Sequence, residues 1–184
     1  MKKILLLAVV AVMFIAAPTM ASAMAKEGPY IGGSFVYNHA TGSDIDYGLD
    51  DSVGGELRVG YSFGSIAVEG NILSVDQTGA PGYYDADISG VTVDLRISFS
   101  QTHDPSQVYF LAGLGAYSLE TPIQDFKGSG FNLGVGIEHF FNEQVALDIR
   151  GVYRFIEYDE VNGFTGYNVD GDMLTIGVGL NLHF

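Results

Sequence analysis

Apolar and polar residues alternate with period two along most of this chain, and most cleanly at its end. Leu174, Ile176, Val178, Leu180, Leu182 and Phe184 fall on one face, Thr175, Gly177, Gly179, Asn181 and His183 on the other. Successive side chains of a strand point to opposite sides, so this is a strand with one apolar and one polar face. Seven more segments alternate in the same way. Eight strands are therefore predicted, at 29–37, 54–63, 66–74, 88–99, 107–118, 130–141, 145–155 and 173–184. The connections at 64–65, 100–106 and 142–144 are short, whereas those at 38–53, 75–87, 119–129 and 156–172 are each eleven residues or longer.

One face of these strands carries Ile31, Phe35 and Tyr37, then Leu57, Val59, Tyr61 and Phe63, and continues so around the set without a charge in its middle. A tilted strand of ~9–11 residues spans a bilayer. Short turns on one side and long loops on the other mark membrane barrels, whose short turns face the periplasm. The predicted fold is all-β, an eight-stranded antiparallel up-and-down transmembrane β-barrel of a Gram-negative outer membrane. Both termini would then be periplasmic. Phe63, Phe99, Phe141 and Phe184 each close an even-numbered strand and would form an aromatic girdle at that interface.

The opposite face gathers charge. Arg58, Arg96, Arg150 and Arg154 fall on it, with Glu56, Glu69, Asp94, Glu138 and Asp148. Seven of the nine (all but Glu56 and Arg154) lie three to five residues in from the turn-side strand ends and should form one layer. The register sets Glu69 diagonal to Arg58 and Arg150 diagonal to Glu138, within reach of long side chains. Inward glycines, among them Gly32, Gly60, Gly113, Gly134, Gly136 and Gly177, would leave room for guanidinium groups. Eight strands enclose a space just wide enough for side chains to fill, so the lumen reads as a polar plug.

The N-terminus fits export. Lys2 and Lys3 precede an apolar run from Ile4 to Ala17, too short for a spanning helix and suited to a signal peptide. Cleavage after Ala23 or Ala25 would remove residues 1–25 and leave a barrel of 26–184. The chain has no cysteine, and its 22 Asp+Glu against 8 Lys+Arg give a net charge of −14. That balance excludes nucleic acid as a partner.

The strand of Gly134-Val135-Gly136-Ile137-Glu138, the turn Asn142-Glu143-Gln144, the run Asp148 to Phe155 and the terminal strand resemble the OmpA/OmpX-like outer-membrane β-barrel family. Pro29-Tyr30-Ile31-Gly32-Gly33 and Tyr109 to Gly115 are similar to it as well. Two departures stand out: Leu182 occupies a place often aromatic in the family, and the periplasmic domain of the larger OmpA-like proteins is not expected after the Phe184 strand. The resemblance implies a surface or porin-like protein without cell-wall anchoring. It also implies that Phe184 is an assembly signal read by the barrel-assembly machinery.

Other candidate chemistry is thin. Glu138 and Asp148 face each other, but Arg150 alongside argues against acid–base work. A lipid A-modifying hydrolase needs a nucleophile, a His base and an acid together. Only His39, near Ser43 and Asp44, lies on the outer side; His103, His139 and His183 lie toward the turns. The G-x-G triplets at 113–115, 134–136 and 177–179 sit inside strands and bind no nucleotide. The long loops carry fourteen carboxylates, among them Asp44, Asp46, Asp50, Asp51, Asp170 and Asp172, against Lys127 alone. They suit solvation, or a divalent cation bridging to lipopolysaccharide phosphate, and Tyr47, Tyr83, Tyr84, Phe164 and Tyr167 add material for an unidentified surface ligand. The expected function is non-enzymatic, cofactor-free and structural or surface-interacting, among outer-membrane lipids. A small gated pore is the alternative, and a lipid A-modifying enzyme the more distant one.

Overall fold

The computed structural model describes residues 27–41, 51–77, 85–99 and 105–184, apart from the side chains of residues 77, 167 and 168. The predicted leader 1–25 lies outside them, as do His103 and the loop residues Ser43, Asp44, Asp46, Tyr47, Asp50, Tyr83 and Tyr84. The described residues form nine strands: β1 (Gly28–Ala40), β2 (Ser52–Ser62), β3 (Ile66–Gln77), β4 (Ala86–Ser98), β5 (Ser106–Glu120), β6 (Asp125–Phe140), β7 (Val145–Val161), β8 (Phe164–Asp170) and β9 (Met173–His183). Strands β1 to β7 pair antiparallel in sequence order, and β7 pairs with β9. Strand β9 then returns to β1, from Tyr30↔His183 to Ala40↔Met173, and closes the ring at eight strands. Strand β8 stands outside the ring on β7.

The alternation sorts the side chains as a membrane barrel requires. Phe35 (80% exposed), Leu114 (71%) and Leu57 (67%) face outward, while their neighbours Ser34, Gly113 and Glu56 turn inward. An outward band of that length and apolarity has no place in water. Along β7 the band is more covered: Val145, Ile149, Tyr153 and Phe155 are half-buried and Leu147 is buried. Aromatic pairs edge the band at both ends. Phe99 meets Phe110 edge-on with centroids 5.4 Å apart near the turns, and Phe131 stacks on Phe155 at 4.3 Å toward the loops.

Beyond Phe131 and Phe155 the pattern inverts. Outward positions become polar (Ser74, Asp76, Asp87, Glu120, Asp125, Glu157), and inward ones apolar (Leu73, Val75, Ile88, Leu119, Ile156, Tyr158). Polar-out and apolar-in is the arrangement of a sheet in water. All the ring strands but β9, which starts at its predicted residue, therefore continue past the lipid-facing band, by two to six residues more than their predicted ends.

Two of the predicted long loops are shorter than expected. The connection at 119–129 reduces to residues 121–124 between β5 and β6, tied by Thr121 N donating to Gln124 O at 2.9 Å. Most of 156–172 forms a hairpin of the β7 extension with β8. Its turn has positive φ at both central residues, Asn162 (51°) and Gly163 (82°). Such turns match the twist of the flanking strands and call for Asn-Gly. A β-branched residue at positive φ costs about 1–2 kcal/mol. Gly163→Val is expected to open this hairpin to proteolysis between Val161 and Gly166 while the urea midpoint of the barrel stays unchanged. Unaltered protease resistance would contradict the turn assignment.

Candidate functional site

The strand pleat turns every residue of the predicted charged set into the lumen. Glu56, Arg58, Glu69, Asp94, Arg96, Glu138, Asp148, Arg150 and Arg154 are each 4% exposed or less. The diagonal register holds: Arg58 lies opposite Asn71, one step from Glu69, and Arg150 lies opposite Gly136, one step from Glu138. The ion pairs do not follow it. Arg58 on β2 reaches Asp148 on β7 at 2.7 Å and Glu56 at 3.1 Å. Arg150 on β7 crosses to Glu69 on β3, halfway round the ring, at 2.9 Å, and holds Asp148 with Nε at 2.8 Å. Arg96 pairs with Glu138 and approaches Glu69 at 3.6 Å, and Arg154 holds Glu56 at 2.9 Å. In so narrow a space a long side chain meets the far wall as readily as the next strand.

Asp94 lies in the layer, directly opposite Glu69, but is held by neutral groups. It accepts hydrogen bonds from Asn71 (2.8 Å), Thr92 (3.0 Å) and Asn132 (2.9 Å), and it makes no ion pair among the described residues. Neutral donors satisfy its oxygens, as burial demands.

Several lumen groups were absent from the predicted set although their strand parity exposes them. Tyr30 donates to Glu69 at 2.6 Å, Tyr109 to Asp148 at 2.6 Å, and Asn181 to Glu138 at 2.6 Å. His183 Nε2 lies 3.2 Å from Glu138 Oε1, and the Arg96 guanidinium covers the Tyr109 ring at 3.9 Å. The glycines make room for more than arginine. A Cβ at Gly32 would meet Asn181 and the Arg58 stem at 2.9 Å, whereas one at Gly60 or Gly136 would meet the ring of Tyr30 or Tyr109.

The lumen also has a second half that is not polar. Toward the loops Val36, Leu73, Val75, Ile88, Tyr117, Leu119, Ile156, Tyr158 and Met173 form one buried apolar cluster. At the turn end Phe140 packs on His183, centroids 5.0 Å apart, and His183 stacks on Tyr30 at 4.9 Å. A cavity of about 10 Å³ among Tyr30, Arg96, Gln107, Glu138, Phe140 and His183 has room for about one water.

The outer surface holds two histidine pairs far from each other. His39 ends β1 instead of lying in a loop, with Nδ1 2.6 Å from Asp51 Oδ1. At the opposite end Ser106 Oγ lies 2.8 Å from His139 Nδ1, on directly paired residues of β5 and β6. The dense acidic groups at 44–50 lie outside the described residues. No group of three or more His, Cys, Asp or Glu suited to a metal occurs among those described.

A closed eight-stranded ring with lipid-facing apolar residues and a charged interior defines an architecture, and the chain's sequence matches the model of the outer membrane protein beta-barrel domain over residues 7–181. The chain belongs to that family. It is a protein of the Gram-negative outer membrane. No curated protein sequence matches it significantly. Its fold is similar to that of Neisserial surface protein A (TM-score 0.69, 16% identity, covering 85% of this chain and 97% of that one). It is similar also to OprG from Pseudomonas aeruginosa (TM-score 0.61, 14% identity, 90% and 99%). A third similar fold is Ail of Yersinia pestis, solved with the heparin analogue sucrose octasulfate (TM-score 0.56, 16% identity, 86% and 100%). At these identities the likeness is one of fold.

Proposed function

We propose that this family member is a non-enzymatic barrel whose lumen is filled by its own side chains and whose loop end meets the outside of the cell. The short turns and both termini then face the periplasm, and lipopolysaccharide and phospholipid surround the apolar band. Residues 1–25 would be a signal peptide, with 26–184 as the mature barrel. The observation that carries the reading is the lumen: guanidinium–carboxylate pairs span it from wall to wall at one level, and a buried apolar cluster fills it at another. Catalysis on lipid A is disfavoured, because the two histidine pairs sit at opposite ends of the barrel. The polysulfated ligand held by Ail finds no counterpart in a loop end rich in carboxylate. The test is swelling of proteoliposomes in small sugars and amino acids, where none is expected; swelling above empty vesicles would refute a filled lumen.

A gated pore is the second reading, and one feature favours it. Glu69 lies within 3.6 Å of both Arg150 and Arg96, and Glu56 within 3.8 Å of Arg58, Arg150 and Arg154, so partners can exchange. Phe184 supports assembly in either case. It is 53% exposed beside the last turn, with its N–H donated to Pro29 O at 3.0 Å. Phe184→Ser is expected to lower the amount of folded protein in the membrane several-fold at equal expression, read from heat-modifiable gel migration. Normal levels would refute an assembly role.

A further inference from the structure

The strands that outrun the lipid-facing band end in a braced tip. Strand β7 continues six residues past Phe155 to Val161, about 20 Å of strand. At its end the β7–β8 turn and the β5–β6 turn hold each other: Asn162 N donates to Asp125 O at 2.8 Å, and Asp125 N donates to Asn162 Oδ1 at 2.9 Å. Beneath the tip Phe126 meets Tyr158 edge-on at 6.1 Å, and with Val169 it packs on the apolar lumen cluster. The tip is thus held by main-chain pairing above and by buried apolar contact below.

From this support two large apolar side chains face solvent. Ile123 is 63% exposed in one turn and Phe164 71% exposed beside the other. They stand beyond the lipid-facing residues, at the level where the outward face has turned polar. Exposed carboxylates flank them at Glu120, Asp125, Glu157 and Asp159, while an exposed cation beside them, Lys127, lies 4.0 Å from Glu160. An apolar centre within a charged rim is the anatomy of a recognition surface.

We propose that this tip docks a cationic protein segment carrying apolar side chains, which would cover Ile123 and Phe164 while its lysines or arginines meet the four carboxylates. The charge chooses the occupant. An anionic lipid surface or a polyanion would be repelled, and a second copy of the tip would set acid against acid. The inference rests on the surface-interaction reading above and gives it a place and a partner chemistry.

The test uses the full barrel refolded into phosphatidylcholine nanodiscs, with empty nanodiscs as baseline. Two fluorescein-labelled peptides of equal charge serve as probes, one of lysine and leucine, the other of lysine and serine, each followed by anisotropy. Wild type is expected to bind the lysine–leucine peptide more tightly, with affinity falling as salt rises. Ile123→Ser/Phe164→Ser is expected to weaken that binding by about tenfold and to leave lysine–serine binding unchanged. Both positions are exposed, so the variant should fold, and its heat-modifiable migration verifies it. Equal affinity of wild type and variant for the lysine–leucine peptide would overturn the apolar docking point and leave an acidic surface standing. Binding of neither probe would overturn both.

Discussion

Arg150→Ala is expected to destabilise the barrel by about 3–5 kcal/mol, seen as a lower urea midpoint. The guanidinium touches Glu69 across the lumen and Asp148 on its own strand, at 2.9 and 2.8 Å, and it approaches Glu56 at 3.8 Å. Glu69 and Asp148 are fully buried. Without Arg150, Glu69 retains Arg96 at 3.6 Å and the Tyr30 hydroxyl, neither of which replaces a close guanidinium. The cost is that of a charge left buried without adequate pairing. It follows that Arg150→Ala/Glu69→Ala should be less destabilised than the sum of the two single changes, by well over 1 kcal/mol, as for groups in direct contact. Additive effects would mean that the cross-lumen pair is not formed.

Gly136→Val is expected to cost about 3 kcal/mol or to prevent folding, read from the folded fraction and from urea unfolding. A Cβ there would run into the tip of the Tyr109 ring and would lie 2.9 Å from the Ile149 carbonyl oxygen. Tyr109 has nowhere to go. Its hydroxyl is tied to Asp148 and its ring lies under Arg96, so displacing it breaks the charged layer as well as the packing. Gly151 provides the contrast, since a Cβ there meets nothing within 4 Å. Gly151→Ala should therefore change stability by no more than about 0.5 kcal/mol. Equal effects at the two glycines would refute the steric account.

The barrel is legible in the sequence because its two environments differ so sharply. Lipid tolerates no charge in the middle of the band, and the lumen takes in all four arginines, so parity alone assigns each residue to a side. The same contrast explains where the reading stopped. At Val36, Leu73, Val75, Leu119 and Ile156 the inward side is itself apolar, the alternation loses its membrane sense, and the predicted strands end near those residues. The inversion was visible in the polar neighbours Ser74, Asp76, Asp87, Glu120 and Glu157. The hairpin at Val161-Asn162-Gly163-Phe164 was also written plainly, as Asn-Gly between apolar residues.

The choice of ion-pair partners was not legible. Strand register fixes which residues are neighbours along the wall, and it placed Glu69 diagonal to Arg58 as observed. Whether a guanidinium bonds that neighbour or the opposite wall depends on the bore of the closed ring and the course of the side chain through it. Arg150 thus crosses to β3 and Arg154 to β2. Asp94 shows the same limit, since its amide partners Asn71 and Asn132 carry no charge to attract attention in a sequence.

The filled lumen is tested most directly by single-channel recording of the refolded protein in planar bilayers, with Arg58→Ala and Arg150→Ala alongside. Wild type is expected to be silent, because ion pairs and an apolar cluster occupy successive levels of the lumen. Discrete conductance steps in the wild type, enlarged by the arginine changes, would contradict this account and make the charged layer a gate.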